Sequence, residues 1–326
     1  MDTTPTSSIK YSYDGITWDN SVSGGFSPVG GGGNGVAWNG NMWVAVGGSD
    51  TTTGTIQYSY DGINWNNISS GGFSKQGNRV AWNGNMWVAV GDSSSSSGTI
   101  KYSDDGITWH NSVSGGFSKL GGYGIAWNGN IWVAVGTDTT ASGSIKYSYD
   151  GKTWYNSVSG GFSPAGAGGV GVAWNGKMWV AVGMITNSSS SIQYSYDGKN
   201  WNNSTLNGFV EGGYDIAWNG SMWVAVGFGT DTISSGTIKY SVDGINWNNI
   251  TSNEFNGAGL GIAWTYNLGS ITFSDENDEN DENDENDEND ELTIKNIYGN
   301  KLLENSLEIR SDDYYNYSNL SINVKC

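Results

Sequence analysis

The sequence predicts an all-β fold, a six-bladed β-propeller of four-stranded blades. Three observations carry that prediction: a motif repeated six times at a nearly constant interval, short aromatic-rich strand pairs within each copy, and no segment with a helical apolar period. The heptapeptide SYDGITW (12–18) returns as SYDGINW from Ser59, SDDGITW from Ser103, SYDGKTW from Ser148, SYDGKNW from Ser195 and SVDGINW from Ser241. The intervals are 47, 44, 45, 47 and 46 residues. A period in the forties built of short β runs is the signature of a propeller blade.

Within each copy the elements follow in order. The segment Ile9 to Trp18 reads as an outer hairpin, because Asp14-Gly15 is a strong two-residue turn signal. That register sets Tyr11 opposite Trp18. The same aromatic pair recurs as Tyr58/Trp65, Tyr102/Trp109, Tyr147/Trp154, Tyr194/Trp201 and Tyr240/Trp247. Next comes a Phe (Phe26, Phe73, Phe117, Phe162, Phe209, Phe255), then an Ala-Trp pair ending at Trp38, Trp82, Trp127, Trp174, Trp218 or Trp264. Five copies run on into a Trp-Val-Ala-Val-Gly strand led by Trp43, Trp87, Trp132, Trp179 or Trp223; these positions account for all 17 tryptophans. Asn39-Gly40 offers a second turn, so each copy also supplies an inner hairpin, with Trp38 and Trp43 diagonally related on one face. The second strand is apolar on both faces, as a strand sandwiched between blades must be.

The chain begins with an outer pair and ends with an inner one, in which Ser270 to Ser274 is expected to serve as the second strand. The N-terminal pair is therefore expected to complete the sixth sheet and close the ring, which removes exposed sheet faces and edges. The propeller then spans 1–274. Residues 275–291 are a tandem Asp-Glu-Asn repeat with no apolar residue, an acidic linker that cannot fold. Residues 292–326 read as a C-terminal tail, either a small β appendage or a mostly disordered segment.

Charge narrows the partners. Of 32 acidic residues, twelve lie in the acidic tract, leaving twenty against 14 basic residues, a charge of −6 outside it. Arg79 and Arg310 are the only arginines, so no basic patch exists to hold a phosphate backbone, and nucleic acid is excluded as a partner. Cys326 is the lone cysteine, which rules out an intrachain disulfide. The N-terminus lacks the pattern of a signal peptide and no apolar run reaches ~18 residues, so a soluble cytoplasmic protein without a membrane span is expected.

The repeated heptapeptide resembles the Asp-box (BNR) motif, Ser-x-Asp-x-Gly-x-x-Trp, of sialidases and other β-propellers, here with Asp and Gly adjacent. The resemblance covers residues 9 to about 274. It implies a structural turn between the third and fourth strands, away from any substrate. Its residues are Asp14 and Trp18, Asp61 and Trp65, Asp105 and Trp109, Asp150 and Trp154, Asp197 and Trp201, and Asp243 and Trp247. Sialidases of that family hold the substrate carboxylate with three arginines, a set that two arginines cannot form, so sialidase activity is excluded. A weaker resemblance, of composition alone, is to repeat proteins of giant viruses; it implies the virion location.

Other chemistry is thin. One histidine, His110, and one cysteine rule out the usual zinc sites and nucleophile pairs, and no cofactor or metal is expected. Glu211, Asp215 and Glu254 are the only candidates for a glycosidase carboxylate pair, and a non-enzymatic protein is the expectation. Ligand recognition is expected on the face of variable blade-to-blade loops. Its candidates are Arg79, Tyr123 and Tyr214, with Phe26, Phe73, Phe117, Phe162 and Phe209 read either as plugs of the inter-blade core or as stacking platforms. The leading function is a multivalent module, with a glycan as its possible ligand. The alternative is a protein-interaction or structural scaffold, and the last is a glycoside hydrolase.

Overall fold

The computed structural model describes residues 8–27, 32–118, 121–162, 168–184, 190–205, 208–228, 236–250, 255 and 257–263, all within one compact unit, Met1–Tyr266. The expected strand Ser270 to Ser274, the acidic tract and the tail lie outside the described residues, and so does the predicted closing of the sixth sheet.

The architecture is all-β. After the two-stranded sheet of β1 (Lys10–Tyr11) and β2 (Asp19–Asn20) come five antiparallel four-stranded sheets. The first is β3 (Gly33–Trp38), β4 (Trp43–Gly47), β5 (Ile56–Ser59) and β6 (Asn66–Asn67), and the second β7 (Gln76–Trp82), β8 (Trp87–Asp92), β9 (Ile100–Ser103) and β10 (His110–Asn111). The third is β11 (Gly122–Trp127), β12 (Trp132–Gly136), β13 (Ile145–Ser148) and β14 (Tyr155–Asn156). The fourth is β15 (Gly169–Trp174), β16 (Trp179–Gly183), β17 (Ile192–Ser195) and β18 (Asn202–Asn203), and the fifth β19 (Gly212–Trp218), β20 (Trp223–Phe228), β21 (Ile238–Ser241) and β22 (Asn248–Asn249). Strands follow chain order within each sheet, and the first strands β3, β7, β11, β15 and β19 pack on one another in succession around the axis. These are five blades of a six-bladed propeller, and the segment that follows β2 bridges to the first of them through Ser23 and Asn64.

Two registers differ from expectation. Tyr11 pairs with Asp19, and likewise Tyr58 with Asn66 and Tyr102 with His110, so the box tryptophan is not the tyrosine's cross-strand partner. Seven residues, 12–18, form the connection instead of two, because the Asp and Ser side chains hold a longer loop of their own. Trp38 and Trp43 are directly opposed, not diagonal, with ring centroids 4.8 Å apart. Here the Asn39 side-chain oxygen accepts the N–H groups of Asn41 and Met42 and stabilises a four-residue loop.

Each gap between blades is filled from both sides. Met42, Val44 and Val46 of the first blade meet Trp87, Ala89 and Trp109 of the second, and the same set recurs in the next gaps. Burying an indole of 150–250 Å² contributes roughly 4–6 kcal/mol before entropy is subtracted. Backbone bonds stitch the outer rims, for example Val22 N–H to the Ile63 carbonyl and Trp65 N–H to the Ser23 carbonyl. This geometry separates two kinds of left-handed glycine. Gly84 (φ +96°) has open space where a Cβ would go, whereas Gly106 (φ +74°) faces the Met42 methyl and the Trp87 indole nitrogen. Gly84→Ala should therefore cost about 1–2 kcal/mol from backbone conformation alone, and Gly106→Ala roughly 2 kcal/mol more from overpacking. Urea unfolding of the two variants checks the difference.

Candidate functional site

The repeated box is a self-contained hydrogen-bonded turn. The Asp14 carboxylate accepts from the Ser12 hydroxyl (2.9 Å) and from the N–H groups of Ile16 and Thr17 (2.7 Å each). Gly15 N–H donates to the Ser12 hydroxyl, and the Trp18 indole N–H donates to the Gly15 carbonyl. The other boxes repeat this pattern, as at Asp61, Asp105, Asp150, Asp197 and Asp243. The N–H groups of Thr17 and Ile16, with the Ser12 hydroxyl, hold the Asp14 carboxyl down at about 2. The indoles of Trp65, Trp109, Trp154, Trp201 and Trp247 are buried between blades, while Trp18 is 55% exposed.

The five candidate Phe rings are not platforms. Phe26, Phe73, Phe117, Phe162 and Phe209 are 0–2% exposed, so their assignment as ligand-stacking residues is corrected. Each ring plugs the loop end of an inter-blade gap: a Cβ on Gly77 would fall 2.6 Å from the preceding blade's Val46 and 3.2 Å from the Phe73 ring. A hydroxyl of the preceding blade holds the segment in place, Thr55 accepting from Phe73 N–H at 2.8 Å and Thr99 from Phe117 N–H at 2.8 Å.

The residues that break the repeat meet at the axis. Every first strand carries a bulge, and the residue just after it is Gly35, Arg79, Gly124, Gly171 or Asp215. Arg79 and Asp215 stand three blades apart, on opposite sides of the ring, yet their side chains reach each other at 3.8 Å. The Arg79 guanidinium also donates to the carbonyls of Asn34 (2.6 Å) and Asn78 (3.2 Å), and the Asp215 carboxylate accepts from Ile262 N–H (3.0 Å). One charged pair thus ties blades one, two and five to the first described segment of the sixth. Burial pushes the Asp215 carboxyl up, against the opposing pull of Ile262 N–H and Arg79.

The bulged residues themselves include the candidates Tyr123 and Tyr214, together with Asn34 and Asn78. The Asn78 amide donates to Asp92 (3.0 Å) and to the Gly122 carbonyl (2.8 Å). Burial raises both the Asp92 carboxyl and the Tyr123 hydroxyl. Glu211 is exposed on the loop entering β19, and Glu254 lies outside the described residues. Asp215 is engaged by Arg79 and Ile262.

Sequence reasoning missed a second polar layer. Lys101, Lys146 and Lys239 are buried, at the position held by Gln57 and Gln193 in other blades. Lys101 donates to Asn111 and lies 5.4 Å from the centroid of the Phe73 ring, and burial brings its amine down to about 8. Lys146 forms an ion pair with Asp138 at 3.1 Å. Gln57 instead bonds both polar groups of the Gly25 backbone. The signal was present: only Lys and Gln alternate between Ile and Tyr in the six third strands.

No protein-family model matches the chain, and neither does any curated protein. Among solved structures, the computationally designed protein Ika8 is similar at TM-score 0.50 and 16% identity, over 72% of this chain and 65% of its own. This chain thus spans just under two thirds of Ika8, and the likeness concerns the fold alone. The nidogen/laminin complex aligns at 9% identity, over 72% of this chain and 84% of that one, with a TM-score of 0.47. A GH74 enzyme of Niastella koreensis aligns at 17% identity over 68% and 31%, with a TM-score of 0.41.

The axial pair has a testable electrostatic sign. A carboxyl raised in the folded state favours the protonated fold, so its contribution is present below the ordinary carboxylate value and is lost as pH rises through the raised one. Asp215→Asn keeps an oxygen for Ile262 N–H and removes the partly buried charge. The stability difference, variant minus wild type, should grow as pH rises from about 4 toward neutrality, measured by denaturant unfolding across that range.

Proposed function

We propose that this propeller is a non-enzymatic binding or scaffold module that engages one protein partner per ring through its variable-loop face. The supporting observation is the Arg79–Asp215 pair at the axis, where the other described blades place glycine, together with the adjoining bulge residues Asn78, Tyr123 and Tyr214. A partner that reads this cluster meets it once, because no other blade reproduces it. Burial of Phe26, Phe73, Phe117, Phe162 and Phe209 weighs against a ring of equivalent platforms, on which multivalent glycan recognition by that face depended; of the six, Phe255 alone is half exposed. Of the three carboxylates of the catalytic alternative, Asp215 is engaged by Arg79 and Ile262, which favours the binding reading.

A photo-reactive residue at Glu211, exposed beside the cluster, tests the proposal in extracts of cells expressing the protein. One discrete protein adduct is expected, reduced at least tenfold by Arg79→Glu. A silent probe, or an adduct indifferent to that substitution, overturns the reading. Calorimetry against a glycan panel supplies the competing outcome: several equivalent sites per chain would restore multivalency.

A further inference from the structure

The box carries a residue that its own hydrogen bonds do not use. Its second position is Tyr13, Tyr60, Tyr149 and Tyr196 in four boxes, each more than half exposed. The other two boxes have Asp104 and Val242 there and build the same turn, with Ser103 to Asp105 at 3.0 Å and Ser241 to Asp243 at 2.9 Å. The fold does not need the tyrosine. Each one stands nearly perpendicular to the tyrosine two residues before it. The pairs Tyr11–Tyr13, Tyr58–Tyr60, Tyr147–Tyr149 and Tyr194–Tyr196 have centroids 5.7–6.0 Å apart and interplanar angles of 78–85°. The result is a two-walled aromatic corner, repeated at the rim of the face that also carries the box aspartates.

One corner shows what it holds. The Lys199 ammonium, from the next blade, lies 5.7 Å from the Tyr147 centroid and 5.1 Å from that of Tyr149. Tyr149 and Asp197 both favour its charged form. Cations are attracted to aromatic faces within about 6 Å. At the position equivalent to Lys199, the blades beside the other corners carry Ile63, Ile107 and Ile245. Among the described residues no cation lies over Tyr13, Tyr60 or Tyr196. Each of these tyrosines precedes a box aspartate whose carboxyl is held well below the usual range, Asp14, Asp61 or Asp197.

We infer that the three open corners, Tyr11–Tyr13, Tyr58–Tyr60 and Tyr194–Tyr196, are receptor sites for ammonium groups, and that this face binds a lysine-rich segment of a partner protein. The partner's lysines take the place that Lys199 fills in its own corner, and three spaced corners on one rim add their weak contacts through avidity. The surface is separate from the axial cluster, so the two proposals stand or fall independently.

The probe is a fluorescent ten-residue oligolysine, titrated by anisotropy against the full chain at roughly 0.15 M salt, where distant charges are screened. The triple variant Tyr13→Leu, Tyr60→Leu, Tyr196→Leu retains every charge, including the acidic tract, and should bind roughly tenfold or more weakly if each corner contributes a cation–π contact. Lys199→Ile frees the fourth corner and should tighten binding severalfold. Unchanged melting of the triple variant is expected, since Asp104 and Val242 show that the box forms without the tyrosine. Equal affinity of wild type and triple variant would assign the attraction to general acidity and overturn the proposal, as would failure of the wild type to bind.

Discussion

The structure depends on one constraint: two four-stranded sheets must approach closely enough to share a single layer of side chains. The second-strand indole fills most of that layer, as Trp87, Trp132, Trp179 and Trp223 do with no exposure at all. Everything adjoining it is then reduced in size. Alanine stands two residues along the same strand. The box turns over the indole edge with a glycine, and the preceding blade's Met42, Met86, Ile131 or Met178 slides beneath that glycine. At the loop end of the gap, the buried Phe ring forces glycine on both the first and second strands, as at Gly77 and Gly91. The large number of glycines, 51 in all, is therefore compatible with a rigid ring. Many of them are places where a neighbouring blade occupies the volume of a side chain.

Polar groups inside this layer are tolerated only where the repeat supplies partners. Lys101, Lys146 and Lys239 bury their stems along the third strand, with their amines on the Asn of the fourth strand. Burial alone disfavours such an amine, and the Phe face and the Asn oxygen offset part of that cost. Lys146 gains an aspartate as well. The glutamines at the same position reach the Gly-Gly-Phe loop instead, so one strand position ties the plug in place by two different chemistries.

Blade number, strand order and the structural role of the box were legible because they follow from period and composition, which a single sequence displays directly. Register was less so. Asp14-Gly15 reads as a two-residue turn, and only the pattern of acceptors on Asp14 and Ser12 shows why seven residues are needed. The Gly-Gly-Phe segment illustrates a different limit: an exposed platform and a buried plug have the same sequence, and they are distinguished by how closely the next blade approaches. The Arg79–Asp215 pair was beyond reach for a third reason. The two residues are 136 positions apart, and their meeting depends on a ring bringing blades two and five to face each other.

The repeat itself helps to separate folding from function. Where all copies agree and the side chain is buried, as at the box tryptophans within the complete blades, the residue answers to packing. Where copies disagree at the axis, as at Arg79 and Asp215 amid glycines, the residue departs from what the fold requires, and the burial that pushes the Asp215 carboxyl above its ordinary value gives the departure an electrostatic cost. The box tyrosines form a third category: shared by most copies, exposed, and dispensable for the turn in the copies that lack them. Neither packing nor drift toward the repeat consensus explains an aromatic wall held at a right angle in solvent four times over. An attraction for something outside the chain does, and Lys199 identifies its charge.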